Sequence, residues 1–150
     1  MIPKTKKRKA PPSKFRSKSE ARIGEALEGT GAAYESVRFQ YPGRVRTYLP
    51  DFILPNGIAI EVKGWFTGAD RAKLKAVKAE HPDLDVRLVL DTPHQWTTKK
   101  KTMTNAQWCD RYSFPWAAKN VPQEWIDEPL NVRSQITMAL AGLPVTKRTA

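Results

Sequence analysis

The stretch LPDFILPNGIAIEVKG, residues 49–64, constrains this chain more than any other segment. Two apolar runs flank Pro55-Asn56-Gly57. Proline suits the first central position of a type I turn, and glycine suits the left-handed residue that follows it. The segment therefore predicts a β-hairpin with a three-residue loop. That loop pairs Leu54 with Ile58, Ile53 with Ala59, Phe52 with Ile60 and Asp51 with Glu61. A two-residue Asn-Gly loop is the competing register, and it would pair Asp51 with Val62 on the other face. The first register makes the apolar sets of both strands consistent. Side chains alternate along a strand, so Ile58, Ile60 and Val62 share one face while Ala59, Glu61 and Lys63 share the other. Asp51 and Glu61 then stand opposed, about 4.5–5.5 Å apart at Cβ. Lys63 lies about 6.5–7 Å along the same face.

Opposed carboxylates repel, so their placement needs a reason. A hard divalent cation supplies one, because Mg²⁺ takes oxygen ligands and is held by carboxylates together with phosphate oxygens. Two acids, a metal and a lysine beside a polyanion describe metal-assisted phosphodiester hydrolysis. The bland reading of the same residues is a solvated strand face with a compensating Lys–Glu pair. Glu20 is the third acid of interest. SKSE offers Ser17 as a helix N-cap with Glu20 three residues on, the pattern of a capping box. Glu20 also begins the stripe that contains Ile23 and Leu27. It is therefore either a capping acid or a metal ligand, and the helix N-terminus favours its anion in both roles.

Charge points to the substrate. The formal net charge is +11, and residues 1–19 hold eight Lys/Arg and no acid. A segment so composed cannot bury enough apolar surface to fold alone, and its natural partner is nucleic acid. A localisation signal or a solubilising tail are the plainer alternatives. The candidate phosphate contacts are Lys6, Lys7, Arg8, Lys9, Lys14, Arg16, Arg71, Lys99, Lys100 and Lys101. No apolar run reaches the length of about 18 residues that a membrane helix needs. The basic start lacks the apolar stretch of a secretory signal. The single cysteine, Cys109, fits a reducing compartment and a packed core thiol. A cytoplasmic protein is expected.

Capping residues and periodicity predict a helix over 18–28, stopped by Gly29 and Gly31. Alternation predicts a strand over 33–41, a turn at 42–44 and extended chain over 45–54, followed by the second hairpin strand, 58–64. A helix is expected over 70–81, a buried strand over 86–90, a basic loop over 97–103 and a helix over 105–112 capped by Thr104. Residues 114–129 read as irregular with one helical turn. A last helix, 132–141, carries Val132, Ile136 and Leu140 on one stripe. This is a mixed α/β domain. Trp65 is read either as lining a nucleic-acid cleft or as core or interface, and the other tryptophans as packing.

Together, FRSKSEARIGEALEGTGAAYES, YLPDFILPNGIAIEVKGWF, AEHPDLDVRLVL and VPQEWIDEP resemble the bacteriophage endonuclease I family of Holliday-junction resolvases, from about Phe15 to Pro129. The catalytic residues also resemble the wider PD-(D/E)xK nuclease class. The resemblance implies a restriction-endonuclease-like core: a central mixed β-sheet flanked by helices, in an intertwined homodimer. Composition gives a basic flexible tail over 1–15, the resemblance a nuclease domain over 16–130, and residues 131–150 are expected to form a C-terminal extension with one helix. It assigns catalysis to Glu20, Asp51, Glu61 and Lys63. Glu20, Asp51 and Glu61 would bind metal, with two Mg²⁺ per site and Mn²⁺ as substitute. It implies sites shared between chains, the helix glutamate coming from one chain and the other three residues from its partner. The implied activity is paired cleavage of four-way and other branched DNA. The alternatives are a nuclease acting on unbranched duplex and a non-catalytic basic nucleic-acid-binding protein.

Overall fold

The computed structural model describes residues 14–41 and 46–144. Most of the basic tail, with Lys6, Lys7, Arg8 and Lys9, lies outside these residues, as do the turn expected at 42–44 and residues 145–150.

The chain runs α1 (Lys18–Ala26), β1 (Ala33–Tyr34), β2 (Val37–Tyr41), β3 (Arg46–Tyr48), β4 (Phe52–Ile53) and β5 (Ile58–Lys63). It continues with α2 (Gly68–Glu80), β6 (Asp85–Leu90), α3 (Asn105–Arg111), β7 (Trp116–Ala118), α4 (Gln123–Asp127), α5 (Val132–Ala141) and β8 (Gly142–Pro144). The fold is the expected mixed α/β type. Its central five-stranded sheet has the order β1-β4-β5-β6-β7. The first three strands are antiparallel, and β5, β6 and β7 are parallel. A second sheet has the order β3-β2-β8.

The hairpin adopts the three-residue-loop register, with Phe52 opposite Ile60 and Ile53 opposite Ala59. Gly57 has φ +89°, and its N–H donates to Leu54 O at 3.0 Å. A side chain there would also crowd Asn131 O at 3.1 Å. The C-terminal segment is seated on this turn. Ser134, fully buried, donates to Gly57 O at 2.6 Å and accepts from Asp85 N at 3.0 Å. The Asn56 amide donates to the carbonyls of Trp125 and Glu128.

The two faces of the sheet carry separate cores. Ile58, Ile60 and Val62 pack with Ile23 and Leu27 of α1. Ala59 lies on the opposite face with Leu74 and Val77 of α2, Trp108 and Cys109 of α3, and Phe39 and Tyr48 of the second sheet. Glu61 and Lys63 share that second face.

Three expectations need correction. The stretch 33–41 is two strands in two sheets, because Glu35 has φ +44° and breaks the extended run. The stretch 45–54 is likewise divided, with β3 in the second sheet and β4 in the first. Part of the supposedly irregular aromatic segment forms β7, which pairs in parallel with β6. The expected last helix forms as α5; its stripe of Val132, Ile136 and Leu140 is exposed, at 56%, 52% and 83%, while Ser134 lies fully buried on the other side.

Candidate active site

The sheet register delivers Glu61 and Lys63 side by side beneath α2. Lys63 Nζ lies 2.8 Å from Glu61 Oε1 and 3.0 Å from Asp70 Oδ1. Asp70 is held in turn by the Thr67 capping box at the start of α2. Burial alone would lower the Lys63 ammonium, but Glu61 and Asp70 outweigh it and raise its pKa. Burial works against the Asp70 carboxylate, yet Lys63 and Thr67 hold its pKa below the usual value. Glu61 is 3% exposed and its Oε2 has no hydrogen-bond partner. The nearby Tyr48 hydroxyl is also buried without one. Burial first, then the Glu61 and Asp51 charges, push the Tyr48 phenol well above its ordinary pKa.

Asp51 belongs to a more acidic neighbourhood. It lies where the chain enters β4, and its Oδ2 accepts from Val62 N at 2.7 Å. Its backbone carbonyl accepts from Glu35 N at 2.9 Å. Carboxylate oxygens of Glu20, Glu35 and Asp51 lie within 4.8 Å of one another. Burial and the Glu61 charge drive the Asp51 carboxyl up to about 8, and the Val62 N–H only partly offsets them. The Arg16 guanidinium reaches this group, 2.5 Å from Glu35 Oε1 and 3.8 Å from Asp51 Oδ1.

Glu20 is 8% exposed and performs part of its predicted capping task. Ser17 Oγ accepts from Glu20 N at 3.0 Å. The Glu20 carboxylate does not close the box on Ser17 N; it accepts from Arg16 N at 3.1 Å and from the Tyr34 hydroxyl at 2.6 Å. Its Oε1 also accepts from Ser17 Oγ at 3.2 Å, so the carboxylate stays at the helix start while lying beside Glu35 and Asp51. All of these donors are hard oxygens, the set that suits a divalent cation such as Mg²⁺ or Mn²⁺. Glu20 and Asp51 meet within a single chain in this structure.

Glu35 and Asp70 join the site without having been anticipated. Glu35 was read as one member of an alternating strand, and its left-handed backbone carries no glycine or asparagine signal. Asp70 was read only as a helix-start residue, although its spacing from Thr67 fits the capping box that fixes it. Among the candidate phosphate contacts, Lys14, Lys99, Lys100 and Lys101 are exposed. Arg71 instead donates to Phe66 O at 2.6 Å and Thr97 O at 3.2 Å, which ties two loops together. Cys109 is fully buried, and burial pushes its thiol up to about 12, as befits a packed core residue. No helix among the described residues is long and apolar enough to cross a membrane.

Comparison with known proteins places this geometry in a lineage. The profile of the family described as Phage endonuclease I matches residues 1–141. Endonuclease I of Escherichia phage T7 is 35% identical over 119 residues, covering 77% of this chain and 80% of the relative. Endodeoxyribonuclease 1 of Enterobacteria phage T3 is 36% identical over 119 residues, covering 77% of this chain and 78% of the relative. With the hairpin carrying Asp51, Glu61 and Lys63 inside the matched region, the chain belongs to the phage endonuclease I family.

Proposed function

We propose that this protein is a divalent-metal-dependent endodeoxyribonuclease that resolves four-way and other branched DNA junctions by paired phosphodiester hydrolysis, acting as a homodimer. The observation that carries the reading is the group of buried carboxylates, Glu20, Asp51 and Glu61, converging on one hairpin beside the ion-paired Lys63. That the phage T7 and T3 relatives are an endonuclease and an endodeoxyribonuclease supports nuclease chemistry. Glu20, Asp51 and Glu61 would hold two Mg²⁺, with Mn²⁺ as substitute, and Glu35 lies close enough to join them. When bound, the cations would supply Lewis-acid stabilisation of phosphate charge and lower the pKa of water.

The chain's own residues do the rest. Asp51, between the Glu20 side and the Glu61 side, links the two halves and must release its proton to serve as a ligand. Lys63 is kept cationic by Glu61 and Asp70, so it can orient a water or meet charge developing on the phosphate. Lys14 and Lys99–Lys101 offer positive charge to flanking phosphates. A dimer brings two such sites to the two strands that resolution must cut.

The test is incubation of a labelled four-way junction, and of a linear duplex with matched sequence, in Mg²⁺ and in EDTA. Metal-dependent cutting of the junction in preference to the duplex is expected. Equal cutting of both would remove the junction selectivity, and no cutting of either would leave a nucleic-acid-binding protein. Mixing Glu20→Ala with Asp51→Ala chains tests the shared site. Recovered cutting is expected if the helix glutamate crosses to the partner. No recovery would mean that each chain completes its own site.

A further inference from the structure

Beyond Lys63, β5 gives way to a cleft that the hydrolytic residues do not use. Trp65 is 74% exposed and Trp96 is 46% exposed. Both line a cavity of about 200 Å³, together with Phe66, Thr97 and Asn105. Tryptophans buried in a core remove large areas from water, so two left open on one cavity are a feature to account for. The cleft is also braced. Arg71 ties Phe66 to Thr97, Thr97 N donates to Met103 O at 2.9 Å, and Trp96 bridges to Thr104.

Asn105 gives the cleft its polarity. It is 3% exposed, and its Nδ2 donates to Thr92 O at 3.0 Å, yet its Oδ1 has no hydrogen-bond partner. Buried acceptors are nearly always satisfied, so an orphan beside two open aromatic rings marks a place for a ligand N–H. Lys99 lies along the adjoining rim with both tryptophans, and Lys100 and Lys101 follow it exposed to solvent. Aromatic faces, an N–H acceptor and neighbouring lysines match a nucleotide with its base released from the stack. A base inside continuous duplex has its faces covered and its edge paired, so it cannot present these groups together.

We infer that this cleft receives one unpaired nucleobase of the DNA substrate, stacked on Trp65 and Trp96 with an N–H toward Asn105 Oδ1 and its phosphates near Lys99–Lys101. The inference rests on the DNA-nuclease reading and adds to it a means of sensing disrupted stacking.

The test is equilibrium binding, in EDTA, of a duplex with one bulged adenosine and of the same duplex with an abasic bulge. The wild-type chain is expected to prefer the base-bearing duplex by about tenfold, as the loss of one base–aromatic stack would predict. Trp65→Ala and Trp96→Ala should each abolish most of that preference while leaving affinity for the abasic duplex unchanged. Trp→Phe at either position should restore part of it. Equal binding of the two duplexes by the wild-type chain would overturn the inference. So would a preference unmoved in both alanine variants, including the case where those variants change only the sedimentation of the dimer. Junction cleavage in Mg²⁺ is run beside it. Loss of that cleavage in the wild-type chain would refute the nuclease reading, whereas the preference measured without metal judges the cleft by itself.

Discussion

Asp51 and Glu61 are both carboxylates, both almost wholly buried, and they stand across one hairpin from each other. Their surroundings differ sharply. Glu61 has Lys63 at 2.8 Å and Lys73 at 4.0 Å. Asp51 has a backbone N–H, the edge of the Arg16 guanidinium at 3.8 Å, and two further acids close by. One half of the site is neutralised by the fold itself. The other half is short of positive charge, and the protein meets that shortage by retaining a proton on Asp51. Equal burial thus yields different chemistry, because a β-strand can place a lysine two residues from Glu61 on the same face, whereas Asp51 lies where Glu20 and Glu35 gather with only the edge of the exposed Arg16 to offset them.

The largest effect should fall on activity. Lys63→Ala or Glu61→Ala should reduce single-turnover junction cleavage by about a thousandfold or more, while junction affinity in EDTA stays within a few-fold. Binding that fell in step with cutting would break the division between chemistry and docking. Stability should then separate the two halves. Lys63→Ala leaves Glu61 buried and poorly compensated, so urea unfolding of the metal-free protein should show a loss of about 3–5 kcal/mol.

Asp51→Asn should act with the opposite sign. The folded carboxyl titrates near 8, against about 3.9 in the unfolded chain. Between those values the folded state holds the extra proton, so this group's contribution to stability falls as pH rises. The asparagine variant should match the wild type near pH 4 and exceed it by about 1–3 kcal/mol near pH 8, without metal. A gap that did not widen with pH would remove the contrast with Glu61. The smallest effect is expected from Arg16→Gln. Its side chain is 64% exposed, so stability should move by less than about 1 kcal/mol. Calorimetric titration should show modestly tighter Mg²⁺ binding, since a competing guanidinium has been removed from the acid group.

The hairpin was readable from sequence because two independent signals agreed: the Pro-Asn-Gly turn and the apolar alternation on either side of it. Its register then placed Glu61 and Lys63 correctly. Glu20 was ambiguous at the sequence level because a capping acid and a buried acid use the same spacing; the distinction depends on Tyr34, whose hydroxyl comes from another element. Glu35 was not readable, since alternation over 33–41 is satisfied equally by one strand or by two that diverge at a left-handed residue. The outward stripe of α5 shows the same limit. Its period predicts the helix and the stripe, but the side that faces in is set by partners elsewhere in the chain, Gly57 O for Ser134 and the core for Met138. Trp96 was read as packing because composition alone does not indicate which tryptophans the core has room for.

The backbone bond from Glu35 N to Asp51 O closes a loop in the chain's path. At Glu35 the polypeptide leaves the central sheet, contributes β2 and β3 to the second sheet, and returns at Asp51. Both ends of that detour belong to the acid group, and they are knotted to each other rather than to anything within it. Phe39 and Tyr48 seat the detour in the core beneath α2 and α3, while the Glu35–Asp51 bond holds the spacing of the acid group. One excursion of the chain thus sets both the acid group and part of the core beside it, so a change at either end of it bears on both.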